Sequence, residues 1–510
     1  MTASSLRIAE RVRGVAPYAT QAPASPIDLW LDANEGPPSP IDLVSLSRRL
    51  ASAALARYPS ARDLEAALAD RRGVDPARVL VTAGGDDAID RACRAVLDPG
   101  RELILPVPTF EMIRRYASLA GAGVIDVPWP CGPYPTQRVL DAVTPRTSMI
   151  AMVSPNNPTG AVATRDDLAG VSRAAPDAVI LVDAAYAEFA DDDLTDAALP
   201  LPNALVVRTF SKAFGLAGLR VGYCIGPADL ISAMRAAGGP YPVSTMSVLA
   251  AREALSQHED TLRDAVARVR WQRDDLSRRL SRLGAAVVPS QANFVLARFT
   301  DASWVWGALV SQGILVRRFA AETGLTSYLR ITLPGTSAAY DRLCAALDAS
   351  LAPQTVLFDL DALAALVQNG LGPADGRPST PLPTPLIQQF DRLAARVRLA
   401  LITSQSPSEC YQFLARSGLG AFFQDRRDAV TSPPHHPTVF STQTLANTGA
   451  KTAWAVLSTP ESIRAARAAG IVPIGIQPSH PRPPHTARDL AAAGAARVIT
   501  DLADLERTLP

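Results

Sequence analysis

The chain has 510 residues, 48% of them hydrophobic, with 50 basic against 49 acidic side chains and a formal charge of +1. That length predicts two to four globular domains, and the balanced charge gives no sign of a nucleic acid or an anionic membrane surface as partner. Five scattered cysteines without CxxC pairing, a first segment MTASSLRIAERVRG without an apolar h-region and the lack of any 18-residue apolar stretch argue against a disulfide framework, a zinc cluster, secretion and a membrane span. The expectation is a cytoplasmic protein without a metal.

Residues 1–40 read as an N-terminal arm, mostly irregular, ending in LWLDANEGPPSP. A large domain is expected over 41–245. Helical text, LVSLSRRLASAALARY and ARDLEAALADRRG, leads to the strand VLVTAG and the helix DDAIDRACRAVLD. Short apolar strands (ELILPV, GVIDVPW, SMIAMVS, AVILVDAAY, ALVVRTFS) then alternate with helical segments such as EMIRRYASLAGA and DDLAGVSRAA. That alternation predicts a mostly parallel sheet covered on both faces, which binds ligands beyond the carboxyl ends of its strands. A smaller α/β domain is expected over 246–352: a long charged helix at about 246–283, then AAVVPS, NFVLARF, WVWGALVSQGILVRRF, SYLRITLPG and the helix AAYDRLCAALDAS. A further α/β unit, 353–510, opens with VLFDLDA, is interrupted by the Pro-rich GLGPADGRPSTPLPTP, and continues through ALITSQS, AWAVLS, VPIGIQ and RVIT.

Only two lysines, Lys212 and Lys451, stand against 48 arginines. An amine that sheds its proton forms a Schiff base and a guanidinium does not, so a retained lysine draws attention. Lys212 follows the apolar run ALVVRTF, and other reactive residues also fall at strand ends: Gly84 and Gly85 after VLVTA, Asn157 after MIAMVS, Asp183 after VILV. Asp183 can keep a pyridine nitrogen protonated, and Asn157 and Tyr186 can hydrogen-bond a ring oxygen. Gly84, Gly85 and Asp86 open a helix whose N–H groups can hold a phosphate, with Thr209 and Arg220 as further ligands. Phe110 either stacks on the ring or packs in the core, and Arg330 can pair bidentately with a substrate anion. The plain alternatives are a surface lysine for Lys212 and a strand-end cap for Asp183. Lys451 reads as a solvated helix residue. His435 and His436, in SPPHHP, have no third ligand at usable spacing and read as a loop.

SPNNPTG at 154–160, LVDAAYAEF at 181–189 and TFSKAFGLAGLRVGY at 209–223 resemble the fold-type I pyridoxal-phosphate aminotransferases. DANEGP at 32–37, RYPS at 57–60, AGGDDAID at 83–90, GILVRRF and SYLRITLPGT narrow the resemblance, over about 10–350, to the histidinol-phosphate aminotransferases. It implies pyridoxal 5'-phosphate bound through a Lys212 Schiff base, with Lys212, Asp183 and Tyr186 in catalytic roles. It implies a homodimer with shared active sites, in which Tyr58 reaches the neighbouring subunit's cofactor phosphate. Tyr18, Asn34, Arg317 and Arg330 would face the substrate, with Arg318 the alternative to Arg317. The implied reaction is transamination between L-histidinol phosphate and 2-oxoglutarate. Another phosphorylated or aromatic amino substrate, decarboxylation of a phosphorylated amino acid, and a non-catalytic scaffold remain alternatives. Ala184, Phe110 and Gly85 stand where that family usually has an acidic residue, Tyr and Ser.

Residues 353–510 resemble the haloacid-dehalogenase-type phosphatases. The resemblance would make Asp359 a nucleophile, Asp361 a general acid/base and Thr403 a phosphate ligand. Ser458 and Ser462 stand where that family has metal-binding carboxylates, and its lysine is missing, so a hard-cation site loses its oxygen ligands. The expectation is a degenerate phosphatase fold with a structural or interaction role.

Overall fold

Three sheets organise the chain, and each forms where the sequence supplies short runs of aliphatic and β-branched residues. The computed structural model describes residues 7–13, 15–17, 23, 25–50, 56–257, 259–371, 382–403, 407–423, 430–431, 451–477 and 485–509. Strands are numbered along the chain.

The first sheet has seven strands: β2 (Val79–Thr82), β3 (Glu102–Val107), β4 (Gly123–Pro128), β5 (Thr147–Val153), β6 (Val179–Asp183), β7 (Ala204–Thr209) and β8 (Gly222–Ile225), in the order β2-β8-β7-β6-β5-β3-β4. All neighbours are parallel except β8, which runs antiparallel to both β2 and β7. Every residue of β7 and the last four of β6 are buried, as expected of central strands covered on both faces. The second sheet, β1-β11-β12-β10-β9, is built from β1 (Leu29–Leu31), β9 (Ala286–Val288), β10 (Phe294–Arg298), β11 (Ile314–Arg318) and β12 (Tyr328–Thr332). Its edge strand β1 comes from the N-terminal arm and pairs parallel with β11, so the arm is structurally part of the smaller lobe. The third sheet is wholly parallel, with β13 (Thr355–Asp359), β14 (Arg398–Thr403), β15 (Val430–Thr431), β16 (Ala453–Leu457), β17 (Val472–Ile476) and β18 (Arg497–Ile499) in the order β15-β14-β13-β16-β17-β18.

The helix expected in LVSLSRRLASAALARY begins as Leu43–Arg48, started by the Asp42 carboxylate accepting from Val44 N–H at 2.9 Å, and residues 51–55 lie outside the described ones. Two other expectations change. The charged run at 246–283 is two helices, Thr245–Gln257 and Glu259–Arg282. Lys451 lies in an exposed bend before β16 rather than in a helix, with its N–H donating to Gln354 Oε1.

The second and third sheets share one hydrophobic core, running from Leu31 to Leu509. Between them lies the helix Ala302–Ser311 (ASWVWGALVS), which is apolar on nearly all sides and so needs cover all round. On one side Trp306 Nε1 donates to Val316 O of β11 at 3.1 Å. On the other, Trp304 lies 4.5 Å from Trp454 of β16 between ring centroids. Both indoles also cap the helix Ser337–Leu351: Trp304 Nε1 donates to Ser350 O at 3.0 Å and Trp454 Nε1 to Ala349 O at 2.7 Å. Gly307 permits the close approach, since a Cβ there would stand 2.3 Å from Ala496 O. Among the described residues, no helix is long and apolar enough to cross a membrane.

Candidate active site

The carboxyl ends of β5, β6 and β7 and the start of the helix after β2 converge on one cleft, which the arm and β12 close from the other lobe. Asp183 ends β6 and is 5% exposed; Ala185 N–H donates to its Oδ1 at 3.1 Å. Burial pushes its carboxyl up to about 6, Asp86 adds to the rise, and Ala185 N–H and Lys212 oppose it. Three residues beyond β7, Lys212 donates from Nζ to Ala33 O at 3.2 Å and stands 5.7 Å from the Tyr186 ring centroid. Burial lowers this amine to about 8, and the Arg330 charge lowers it further against the pull of Asp86 and Glu35. Tyr186 accepts Asn34 Nδ2 at 3.0 Å, and burial raises its phenol to about 12.

At the far side of the cleft, Gly84 starts the helix Gly84–Val96 with φ of 82°, followed by Gly85 and Asp86. A Cβ on Gly84 would come within 2.9 Å of Arg220 Nη2, and one on Gly222 of β8 within 2.7 Å of Gly84 C, so the two backbones touch. Arg220 pairs with the Asp86 carboxylate at 3.1 Å. The Thr209 and Ser211 hydroxyls lie 2.9 Å apart beside this turn of chain. Helix-start amides, two hydroxyls and a guanidinium make an anion cradle.

The smaller lobe brings two arginines. Arg317 on β11 and Arg330 on β12 are directly opposite in the antiparallel register and so share a sheet face. Arg330 donates from Nη2 to Asp32 O at 2.6 Å and from Nη1 to Asn157 Oδ1, joining the two lobes. Its guanidinium lies 5.4 Å from the Phe294 ring centroid. Arg318, on the other face, stacks on Trp306 at 4.2 Å, which favours Arg317 of the neighbouring pair for the cleft. Asp32 stands close enough to both arginines to feel their charge, although burial raises its carboxyl on balance.

Other expected residues lie elsewhere. Phe110, at the N-terminus of the helix Glu111–Ala120, is half-buried and packs on the core beneath the first sheet. Its segment is tied to the cleft through Asn156, which accepts Thr109 Oγ1 at 2.7 Å and donates to Pro108 O at 2.9 Å. Tyr58 is 79% exposed and stacks on Tyr241 at 4.4 Å, outside this cluster. Tyr18, His435 and His436 lie outside the described residues. In the third sheet, Asp359 ends β13 and is 6% exposed; Ser458 Oγ donates to its Oδ2 at 3.4 Å. Burial and the Asp361 charge raise Asp359 to about 7. Thr403 ends β14, and Ser462 Oγ is taken up by Thr459 at 2.8 Å, in the N-cap of the helix Pro460–Ala468, away from Asp359.

Four contributors escaped the sequence reading. Ser211 lies inside the quoted motif between Thr209 and Lys212, and its position was legible there. Thr332 follows Arg330 by two on β12, hence on the same face, and its Oγ1 accepts Asn34 N–H at 3.2 Å and donates to Asn34 Oδ1 at 3.2 Å. Asn293 Nδ2 donates to the Asn34 and Glu35 carbonyls at 3.3 and 3.1 Å, helping to hold Asn34 at its φ of 54°. Gly36 touches the Lys212 backbone so closely that a Cβ would stand 1.6 Å from Lys212 O. Gly36 stands inside DANEGP, so its position too was legible, whereas no local pattern signals Asn293, whose partners lie far along the chain.

Comparison with known proteins agrees with this geometry. The family model for aminotransferase class I and II matches residues 26–347. A histidinol-phosphate aminotransferase from Paracoccus denitrificans is 36% identical over 310 residues, covering 59% of this chain and 84% of that protein. An aromatic amino acid aminotransferase from Cutibacterium acnes is 34% identical over 320 residues, covering 61% of this chain and 91% of that one. The crystal structure of histidinol-phosphate aminotransferase from Sinorhizobium meliloti in complex with pyridoxal-5'-phosphate superposes with a TM-score of 0.60 at 25% identity, covering 68% of this chain and 97% of the other. The third sheet lies beyond the matched residues. With its strand-end carboxylate, its amine and its two-lobed cleft, the chain belongs to the class I and II aminotransferases and is a pyridoxal-phosphate-dependent enzyme.

Proposed function

We propose that this enzyme moves the amino group of L-histidinol phosphate to 2-oxoglutarate, with Lys212 as the residue that holds the cofactor covalently. The observation that carries this reading is the meeting of three groups in one cleft: the Lys212 amine, the buried Asp183 carboxylate and the Arg330 guanidinium from the opposite lobe.

Pyridoxal phosphate fits these residues. Asp183 is a buried carboxylate whose ionised form is disfavoured, so a pyridinium N–H beside it relieves an unfavourable charge. Gly84 leaves at the helix start the space that a Cβ would close against Arg220, and the phosphate belongs to that cradle with Gly85, Asp86, Thr209, Ser211 and Arg220. Asn157 and Tyr186 address the ring's oxygen; Phe110, packed on the core beneath the first sheet, is assigned to the ring's face by its place in the sequence alone. When bound, the cofactor supplies an electron sink for the substrate's Cα–H bond. Lys212, lowered to about 8, holds a far larger share of free amine near neutral pH than an ordinary lysine, and that amine takes the proton from Cα and returns it. Arg317 and Arg330 hold the anionic end of the substrate, and Asn34 aligns Tyr186. Tyr18 is assigned to the substrate side by the family resemblance alone.

The exposure of Tyr58 and its stack on Tyr241 support a homodimer in which Tyr58 serves the neighbouring subunit. Residues 353–510 are best read as a degenerate haloacid-dehalogenase-like domain. The parallel order of its sheet and Asp359 at the end of a central strand support the fold, while Ser458 and Ser462 leave it short of metal ligands. A second reading, aromatic amine donors, draws on the Tyr186 and Phe294 rings that meet edge to face at 5.3 Å in the cleft and on the Cutibacterium acnes relative.

The test is a half-reaction screen on the purified holoenzyme, following conversion of the cofactor to its amine form. L-histidinol phosphate, histidine, phenylalanine and threonine phosphate are the donors. Conversion by histidinol phosphate alone supports the proposal, and conversion by phenylalanine without it moves the substrate to the aromatic class. Carbon dioxide release from threonine phosphate without an acceptor overturns amino transfer as the main reaction.

A further inference from the structure

The turn between the helix Ala302–Ser311 and β11 has all three of its carbonyls held. Gly313 O accepts the N–H groups of Asp28 and Leu29, both at 3.1 Å. Gln312 O accepts Arg342 Nη2 at 2.8 Å, and Arg342 also forks onto the Asp28 carboxylate at 3.0 and 2.6 Å. Ser311 O accepts Arg467 Nε at 2.6 Å. Arg467 belongs to the helix Pro460–Ala468 of the C-terminal domain, and the same guanidinium donates to Ala493 O at 3.3 Å and to Pro26 O of the arm at 3.5 Å. Gly494 leaves it room, since a Cβ there would meet Arg467 Cδ at 2.6 Å. One side chain thus ties together the C-terminal domain, the turn that feeds β11 and the residue three positions before β1.

The cleft lies directly beyond those anchors on both strands. Leu29, Trp30 and Leu31 pair with Ile314, Leu315 and Val316, which brings the next residue on each strand, Asp32 and Arg317, into line. The arm then gives Asp32 O to Arg330, Ala33 O to Lys212 and Asn34 Nδ2 to Tyr186. A slip of β1 against β11 would move every one of these contacts. We propose that Arg467 is a positioning residue for the aminotransferase site: it locks the arm and β11 in register, and through them sets Asp32, which holds Arg330, and the substrate-facing groups Asn34 and Arg317. This inference rests on the reading of Arg317 and Arg330 as the substrate's anion grip. It gives the C-terminal domain a part in amino transfer that needs no chemistry at Asp359.

The experiment compares Arg467→Ala, Arg467→Lys and Arg330→Lys in the full-length holoenzyme, measuring KM for the amino donor, kcat and cofactor content per chain. Lys212, Asp183 and the anion cradle lie in the other lobe. Arg467→Ala is therefore expected to raise KM by about 3- to 10-fold with cofactor content within about twofold, and any fall in kcat, through the Ala33 and Asn34 contacts, to be smaller than the rise in KM. Arg467→Lys should fall between, because an ammonium lacks the fork that reaches three carbonyls at once. An unchanged KM overturns the proposal. A parallel fall of kcat and cofactor content at constant KM does so too, since that marks loss of folded protein. If Arg467→Ala does not fold, the Lys variant decides by the same criteria. Should Arg330→Lys leave KM unchanged, the anion-grip reading fails; should it raise KM while the Arg467 variants do not, this inference alone fails.

Discussion

Asp183 and Asp359 occupy matching places in two different sheets. Each ends a central parallel strand, each is almost fully buried, and burial raises both carboxyls, to about 6 and about 7. Their surroundings differ. Asp183 feels a lysine amine and shares its cleft with Arg220 and Arg330 across two lobes. Asp359 has a serine hydroxyl and a second carboxylate, Asp361, which pushes it further up. A strand-end aspartate is therefore only half of a site. The other half is the set of cations and amides that make its charge useful, and among the described residues the first sheet has them where the third does not.

The sharpest separation of the two regions is by activity. Lys212→Ala should cut transamination with histidinol phosphate by about 10^4-fold, whereas Asp359→Ala should change it by less than about twofold. A large loss in the second variant would break the contrast. Trp454 packs the third sheet on the helix Ala302–Ser311, so Trp454→Ala should destabilise the protein by roughly 4 kcal/mol in denaturant unfolding, through lost packing on Trp304 and loss of a cap at Ala349 O.

Asp183→Asn and Asp359→Asn sharpen the comparison through pH. A carboxyl raised in the folded state costs nothing below its unfolded pKa, and its penalty grows as pH rises to the folded value and stays beyond it. In cofactor-free protein both Asn variants should thus match the parent at pH 3.5 and at pH 8 gain stability by roughly 3 kcal/mol for Asp183→Asn and roughly 4 kcal/mol for Asp359→Asn. The gain should be complete near pH 6 for Asp183 and near pH 7 for Asp359. Adding pyridoxal phosphate should reverse the sign for Asp183→Asn alone, because only there does a pyridinium compensate the charge. A smaller effect than that of Lys212→Ala is expected for Arg330→Lys, a rise in KM of about 10-fold from loss of one arm of the guanidinium fork, read by steady-state kinetics.

The elements of the large lobe were legible because their strands are apolar on both faces and their strand ends carry the reactive residues within a few positions. TFSKAFGLAGLRVGY held Thr209, Ser211, Lys212 and Arg220 in one stretch, and LVDAAYAEF held Asp183 and Tyr186. Of the helical text LVSLSRRLASAALARY, the described residues hold the helix Leu43–Arg48, and 51–55 lie outside them. The Arg317–Arg330 pairing was half legible: both arginines stood out, but their direct opposition is a matter of strand register. Gly36 stood inside DANEGP, though nothing local showed that it touches Lys212, and Asn293 and Arg467 carried no local mark at all, since each acts on a residue more than 250 positions away.

The sequence by itself determined the kind of chemistry. An amine that can lose its proton, a carboxylate ending a buried strand and glycines opening a helix are properties of residue type and local geometry, and they sit at fixed spacings along the chain. Only the tertiary structure decided how the site is closed. The arm became an edge strand of the smaller lobe, two arginines met across a register, and the C-terminal domain joined that lobe in one core. These are long-range contacts, stabilised by burial and hydrogen bonds between segments that share no local pattern.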